Sequence, residues 1–131
     1  IMPIKQTYTP AKTAQFFKNV SYETLAASWL QADGWEVFMP LTDHGSKTDL
    51  LISDGKAFYR IQVKSVQTND ESTVVEAQWP RDKIDYVLYF SRAGNWGYIT
   101  PAFQGRVKLA QKGHVRFHQH PKNFNSAFAK I

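Results

Sequence analysis

Asp49 and the run Gln62-Val63-Lys64 are the residues whose types and spacing suggest chemistry. A hard divalent cation takes oxygen ligands. Asp49 offers a carboxylate, Gln62 an amide oxygen, and the Val63 backbone carbonyl a third oxygen. Lys64 adds a positive charge that can orient a water or stabilise negative charge growing on a phosphate. The chemistry such a set predicts is metal-assisted hydrolysis of a phosphodiester.

The element that must position them is the stretch from Thr48 to Ser65, which reads as a β-hairpin. Asp49 to Ser53 forms one strand and Lys56 to Lys64 the other. Asp54-Gly55 between them predicts a two-residue type I′ turn. That turn would set Ser53 opposite Lys56, Leu51 opposite Phe58 and Asp49 opposite Arg60. Side chains alternate along a strand, so Arg60, Gln62 and Lys64 share a face with Asp49. Ala57, Tyr59, Ile61 and Val63 face the core. On this reading Arg60 either contacts phosphate or pairs with Asp49 across the hairpin.

Upstream, Ser21 is the expected N-cap of a helix over 22–32. Its apolar stripe is Tyr22, Leu25, Ala26, Trp29 and Leu30, with Glu23 at the edge, where it can look towards Asp49. Taken alone, Glu23 would be an ordinary first-turn acid favouring the helix dipole. Gly34 should end the helix, and Trp35 to Pro40 alternates as a strand. A helix carrying an acid, then Gly34-Trp35-Glu36-Val37, then Asp49 and Gln62-Val63-Lys64, resembles the PD-(D/E)XK nuclease superfamily. It is most similar to the group I intron homing endonucleases of that superfamily, and it also resembles archaeal Holliday junction resolvases. The likeness spans about Ser21 to Thr100. Gln62 departs from the resolvase pattern, which has Glu, and matches the intron endonuclease one.

The resemblance implies an α/β, restriction-endonuclease-like core with a mixed sheet flanked by helices. It implies a Mg²⁺ site, with Mn²⁺ as a substitute, held by Glu23, Asp49, Gln62 and Val63, with Lys64 assisting the water. The implied activity is site-specific cleavage of double-stranded DNA by a homodimer or homotetramer. Two strands need two cuts, and two copies about a two-fold axis would supply them. A junction resolvase, a restriction or repair nuclease, and a DNA-binding module with an inactive site are the alternatives.

Length and composition agree with that expectation. The chain has 131 residues, enough for one domain over 1–131, with its core at about 21–100. There is no cysteine, which excludes disulfides and Cys-based zinc sites. No apolar run approaches transmembrane length and no signal-peptide pattern is present, so a cytoplasmic location without membrane contact is expected. The net charge is +5 and unevenly spread. Residues 1–20 and 101–131 carry basic residues and no acid, whereas 21–100 holds all 11 acids. Basic ends around an acidic centre suit a polyanion held beside a carboxylate site. Thr42 to Lys47 reads as a polar loop in which Ser46, Lys47 and His44 could touch a phosphate backbone or simply be solvated.

The remaining elements follow from alternation and punctuation. Ala11 to Lys18 reads as a short helix, with Phe16 and Phe17 packing on the core. Strands are expected at Thr73 to Gln78, Ile84 to Phe90, Asn95 to Thr100 and Gly105 to Ala110. Those near 35–40, 48–53, 56–64, 84–90 and 95–100 should build the main sheet. Asp85 reads as a turn cap outside the site. In Gly113 to His120, a strand would line up His114, Arg116, His118 and His120. That edge could face DNA, form a three-imidazole zinc site, or simply be solvated. Asn123 to Lys130 reads as a terminal helix or tail anchored by Phe124 and Phe128.

Overall fold

The computed structural model describes residues 3–42, 48–80 and 82–131. Its first element is a single long helix, α1 (Ala11–Ala32), and not a short helix followed by a second one. No glycine or proline interrupts residues 11–32. Ser21, expected to cap, instead turns its hydroxyl back to donate to the Lys18 carbonyl at 2.6 Å, as mid-helix serines do. The far end follows expectation. Gly34 takes φ 100°. Its N–H donates to the Gln31 carbonyl, and that of Trp35 to the Leu30 carbonyl, the paired bonds of a Schellman motif.

Next come β1 (Glu36–Phe38), β2 (Leu50–Ser53) and β3 (Phe58–Val66). β4 (Val74–Gln78), β5 (Tyr86–Ser91), β6 (Trp96–Pro101), β7 (Gln104–Lys108), β8 (Val115–His118) and α2 (Pro121–Phe128) complete the order. Among the described residues one sheet runs β1-β2-β3-β5-β6-β8, and β4 pairs with β7 in a separate ribbon. Only β3 and β5 are parallel in the main sheet. All five strands expected in that sheet are there, and β8 adds an edge.

The hairpin has a different register from the one its sequence predicts. Ser53 pairs with Phe58 and Leu51 with Arg60, so four residues, 54–57, make the connection. A type I′ turn needs positive φ at both central residues. Gly55 has it, but no non-glycine residue among those described does. The Asp54 carboxylate instead accepts from the N–H groups of Lys56 and Ala57, both at 2.9 Å. Those two bonds hold the longer loop. They also keep the Asp54 carboxyl below its ordinary value, the Ala57 bond first.

One sheet face meets the helices. Tyr22, Ala26, Trp29 and Leu30 of α1, with Phe124 and Phe128 of α2, pack on Leu50, Ile61, Phe90 and Phe117. The opposite face packs under the ribbon, with Trp79, Leu109 and Phe103 against Val87, Tyr89 and Tyr98. Each fully buried side chain of this kind contributes about 1.5–3 kcal/mol. Phe16 and Phe17, expected in the core, are instead about three-fifths exposed. They belong to the N-terminal half of α1, ahead of the buried run that begins at Tyr22. No helix among the described residues is long and apolar enough to cross a membrane.

Candidate active site

The catalytic candidates meet where β2 begins. The Asp49 N–H donates to the Ile61 carbonyl at 2.9 Å, and its Oδ2 accepts from the Val63 N–H at 2.8 Å. The carboxylate thus takes the place of the next ladder bond as the two strands part. The N–H and C=O of one strand residue point the same way, so the Val63 carbonyl also turns to this gap. The side chain of Asp49 is thereby fixed to β3 and does not face Arg60.

Glu23 reaches the same place from α1. Glu23, Asp49, Gln62, Val63 and Lys64 all line one cleft of about 400 Å³. Asp49 and Gln62 are only 7% and 8% exposed. The Gln62 Oε1 is buried and has no hydrogen-bond partner. An orphaned buried oxygen of this kind costs free energy. Two carboxylates, an amide oxygen and a carbonyl fit a hard divalent ion of the Mg²⁺ type. Among the described residues no three His, Cys, Asp or Glu side chains converge as a metal site, so the imidazoles of His114, His118 and His120 do not come together.

Lys64 lies on the opposite side of β3 from Val63. Its ammonium stands 5.6 Å from the centre of the buried Trp79 ring, a cation–π contact. The ribbon side of the sheet thus helps to hold a side chain that borders the cleft.

The other candidates separate from this centre. Arg60 pairs with Asp85, Nε to Oδ2 at 3.3 Å, and the Arg60 backbone N–H donates to the same oxygen at 2.7 Å. Asp85 therefore ties β3 to the start of β5 and stays out of the cleft, as expected. Arg116 and His118 sit on β8, at the far edge of the sheet from β2. Arg116 pairs with Glu71 at 2.7 Å, and the Tyr98 hydroxyl donates to the same Glu71 oxygen at 2.6 Å. The Arg116 bond, then that of Tyr98, holds the Glu71 carboxyl below its ordinary value. Burial first, then Glu71, pushes the Tyr98 hydroxyl up to about 12. His114 places Nδ1 2.8 Å from the Leu109 carbonyl. Ser46, Lys47 and His44 lie outside the described residues.

Asn19 and Arg92 also line the cleft and were not among the sequence candidates. Asn19 comes from α1 and Arg92 from the turn after β5. Neither belongs to a local motif. Arg92 arrives through the parallel pairing of β3 with β5, which a reading of neighbouring residues does not reveal.

No match is found among curated proteins. The fold is similar to that of the bacterial homing endonuclease I-Ssp6803I, at TM-score 0.60 and 17% identity, covering 76% of this chain and 80% of that one. A Holliday junction resolvase, Hjc of Archaeoglobus fulgidus, aligns at TM-score 0.46 and 11% identity, over 68% of this chain and 87% of that one. The family model described as PD-(D/E)XK endonuclease matches residues 20–87, just over half the chain, and takes in Glu23, Asp49, Gln62 and Lys64. With this arrangement of helix, hairpin and cleft, the chain belongs to the PD-(D/E)XK endonuclease family.

Proposed function

We propose that this protein, a single nuclease domain over residues 1–131, is a Mg²⁺-dependent, site-specific endonuclease that cuts double-stranded DNA in the manner of a homing endonuclease. The observation that carries the reading is the meeting of Glu23, Asp49, Gln62 and Lys64 in one cleft, with the Gln62 oxygen buried and unpartnered. Glu23, Asp49, Gln62 and the Val63 carbonyl would hold the ion, and Mn²⁺ would substitute for Mg²⁺. When bound, Mg²⁺ supplies Lewis acidity to the phosphoryl group and an acidified water.

The chain's own groups do the rest. The Val63 N–H fixes the Asp49 carboxylate, so its geometry is set before substrate arrives. Lys64 keeps a positive charge beside the phosphate, where it orients the attacking water and offsets the charge that develops. The protein acts as a homodimer or homotetramer, one cleft for each strand.

The test is incubation of a mixed linear and supercoiled DNA pool with wild type and Lys64→Ala, in Mg²⁺ and in EDTA. Discrete products that need both Mg²⁺ and Lys64 support the reading. Loss of Lys64 should slow cutting by about 10²–10³-fold, the range for one preorganised charge-stabilising group. DNA that is bound but uncut, equally by both proteins, would make this a DNA-binding module instead.

A further inference from the structure

Arg92 follows directly on β5, and its backbone N–H donates to the Val66 carbonyl at 2.8 Å. Its guanidinium is held from two sides. Nε donates to the Ser65 hydroxyl at 3.0 Å, and Nη2 to the Asn19 side-chain oxygen. Both acceptors are neutral. The ion pairs among the described residues are Arg60–Asp85 and Arg116–Glu71, so Arg92 has no carboxylate partner there. It nevertheless lines the cleft that contains Asp49, Gln62 and Lys64.

A guanidinium is always charged and presents five N–H donors in a rigid fork. Ser65 and Asn19 use part of that fork to fix its plane while leaving its charge unneutralised. The unused N–H groups match two oxygens of a phosphate. Half-burial beside neutral acceptors is a poor way to stabilise a fold and a good way to prepare an anion site.

We infer that Arg92 clamps a backbone phosphate of the DNA strand in the cleft, next to the phosphate to be cut. Ser65 and Asn19 are its positioning residues. The inference rests on the nuclease reading but does not require cleavage to be observed. It gives the cleft two ends, an acidic one for the cation and a basic one, Lys64 with Arg92, for the strand.

The experiment is fluorescence anisotropy with a labelled random-sequence duplex, with Ca²⁺ replacing Mg²⁺, across a salt series. Each neutralised phosphate contributes about 0.9 to the slope of log affinity against log salt. Arg92→Gln should therefore lower the slope by about 1 and weaken binding several-fold. Arg92→Lys should restore the slope but not the full affinity, because its ammonium lacks the fork. Asn19→Ala should weaken binding at unchanged slope, since it loosens the guanidinium without removing charge. A folded Arg92→Gln protein with wild-type slope and affinity overturns the assignment. Should Arg92→Gln not fold, wild-type affinity in both Arg92→Lys and Asn19→Ala overturns it equally. A wild-type protein that binds no duplex overturns the nuclease reading together with the clamp.

Discussion

Gln62 and Asp49 sit side by side at similar burial, yet they should respond oppositely to replacement. The Gln62 oxygen has no partner, and an unsatisfied buried polar atom costs about 1–3 kcal/mol. Gln62→Leu removes that oxygen at similar volume. It should leave stability to urea unchanged or raised by about 1 kcal/mol while cleavage falls away. Asp49 carries a structural bond as well, because its Oδ2 accepts from the Val63 N–H. Asp49→Ala leaves that amide unpaired and should destabilise by about 1–3 kcal/mol in addition to abolishing cleavage. Asp49→Asn keeps an acceptor and should keep the fold without the activity. Urea unfolding beside a cleavage assay on the three variants checks all of this. A Gln62→Leu protein as unstable as Asp49→Ala would mean that the Gln62 oxygen is satisfied in solution.

At the scale of elements, most of the chain was legible because its punctuation is local. Gly34 at φ 100° ends α1 where a glycine before a strand pattern says it should. The hairpin is the instructive exception. Asp-Gly signals a tight turn, but the signal does not say how the Asp carboxylate is used. Here it bonds two later amides and lengthens the loop to four residues, which shifts every cross-strand partner. The residues of the cleft survive that shift because their meeting depends on where β2 begins and on the Gln62-Val63-Lys64 run, not on the turn. The partner of Arg60 does not survive it. Long-range joins were not legible either. Gly97 in β6 is one, since an added Cβ would lie 2.2 Å from Phe117 Cζ and 2.4 Å from the Tyr89 carbonyl. Gly97→Ala should cost about 1–3 kcal/mol or more by overpacking between β5 and β8, readable as a lowered unfolding midpoint. The Glu71–Arg116–Tyr98 contact is another, fastening the segment before β4 to β6 and β8. Glu71 has a depressed folded pKa, so its contribution is present above its unfolded value and is lost as pH falls through the folded one. Tyr98 is raised to about 12, so its contribution is complete below the ordinary value of 10.0 and is lost as pH rises from there through about 12. Unfolding midpoints should therefore decline at both extremes. Glu71→Gln should blunt the acid decline, and an acid limb unchanged in that variant would assign it to other carboxylates.

For the molecule as a whole, the proposed double-strand cut would have its stoichiometry set by one cleft per chain. The two strands of a duplex are antiparallel, so their scissile phosphates are related by a two-fold axis. A single copy would have to cut, release, turn over and bind again, and nicked DNA would accumulate between the events. Two copies bound together present two clefts in the required relation, and supercoiled DNA passes to the linear form with little nicked intermediate. Mixing wild type with an excess of Lys64→Ala separates these cases. In a paired assembly most of the complexes that contain a wild-type copy then hold one competent cleft, so nicked circles should become the main product while cutting persists at a reduced level. Copies that act singly and in turn would only be diluted, and the ratio of nicked to linear product would stay that of wild type at the same active concentration. The assay needs a plasmid carrying the recognised sequence, which end-sequencing of the products from the mixed pool supplies. Nicking by the mixture, with linear product from wild type alone, would join the chemistry of one cleft to the symmetry of the target.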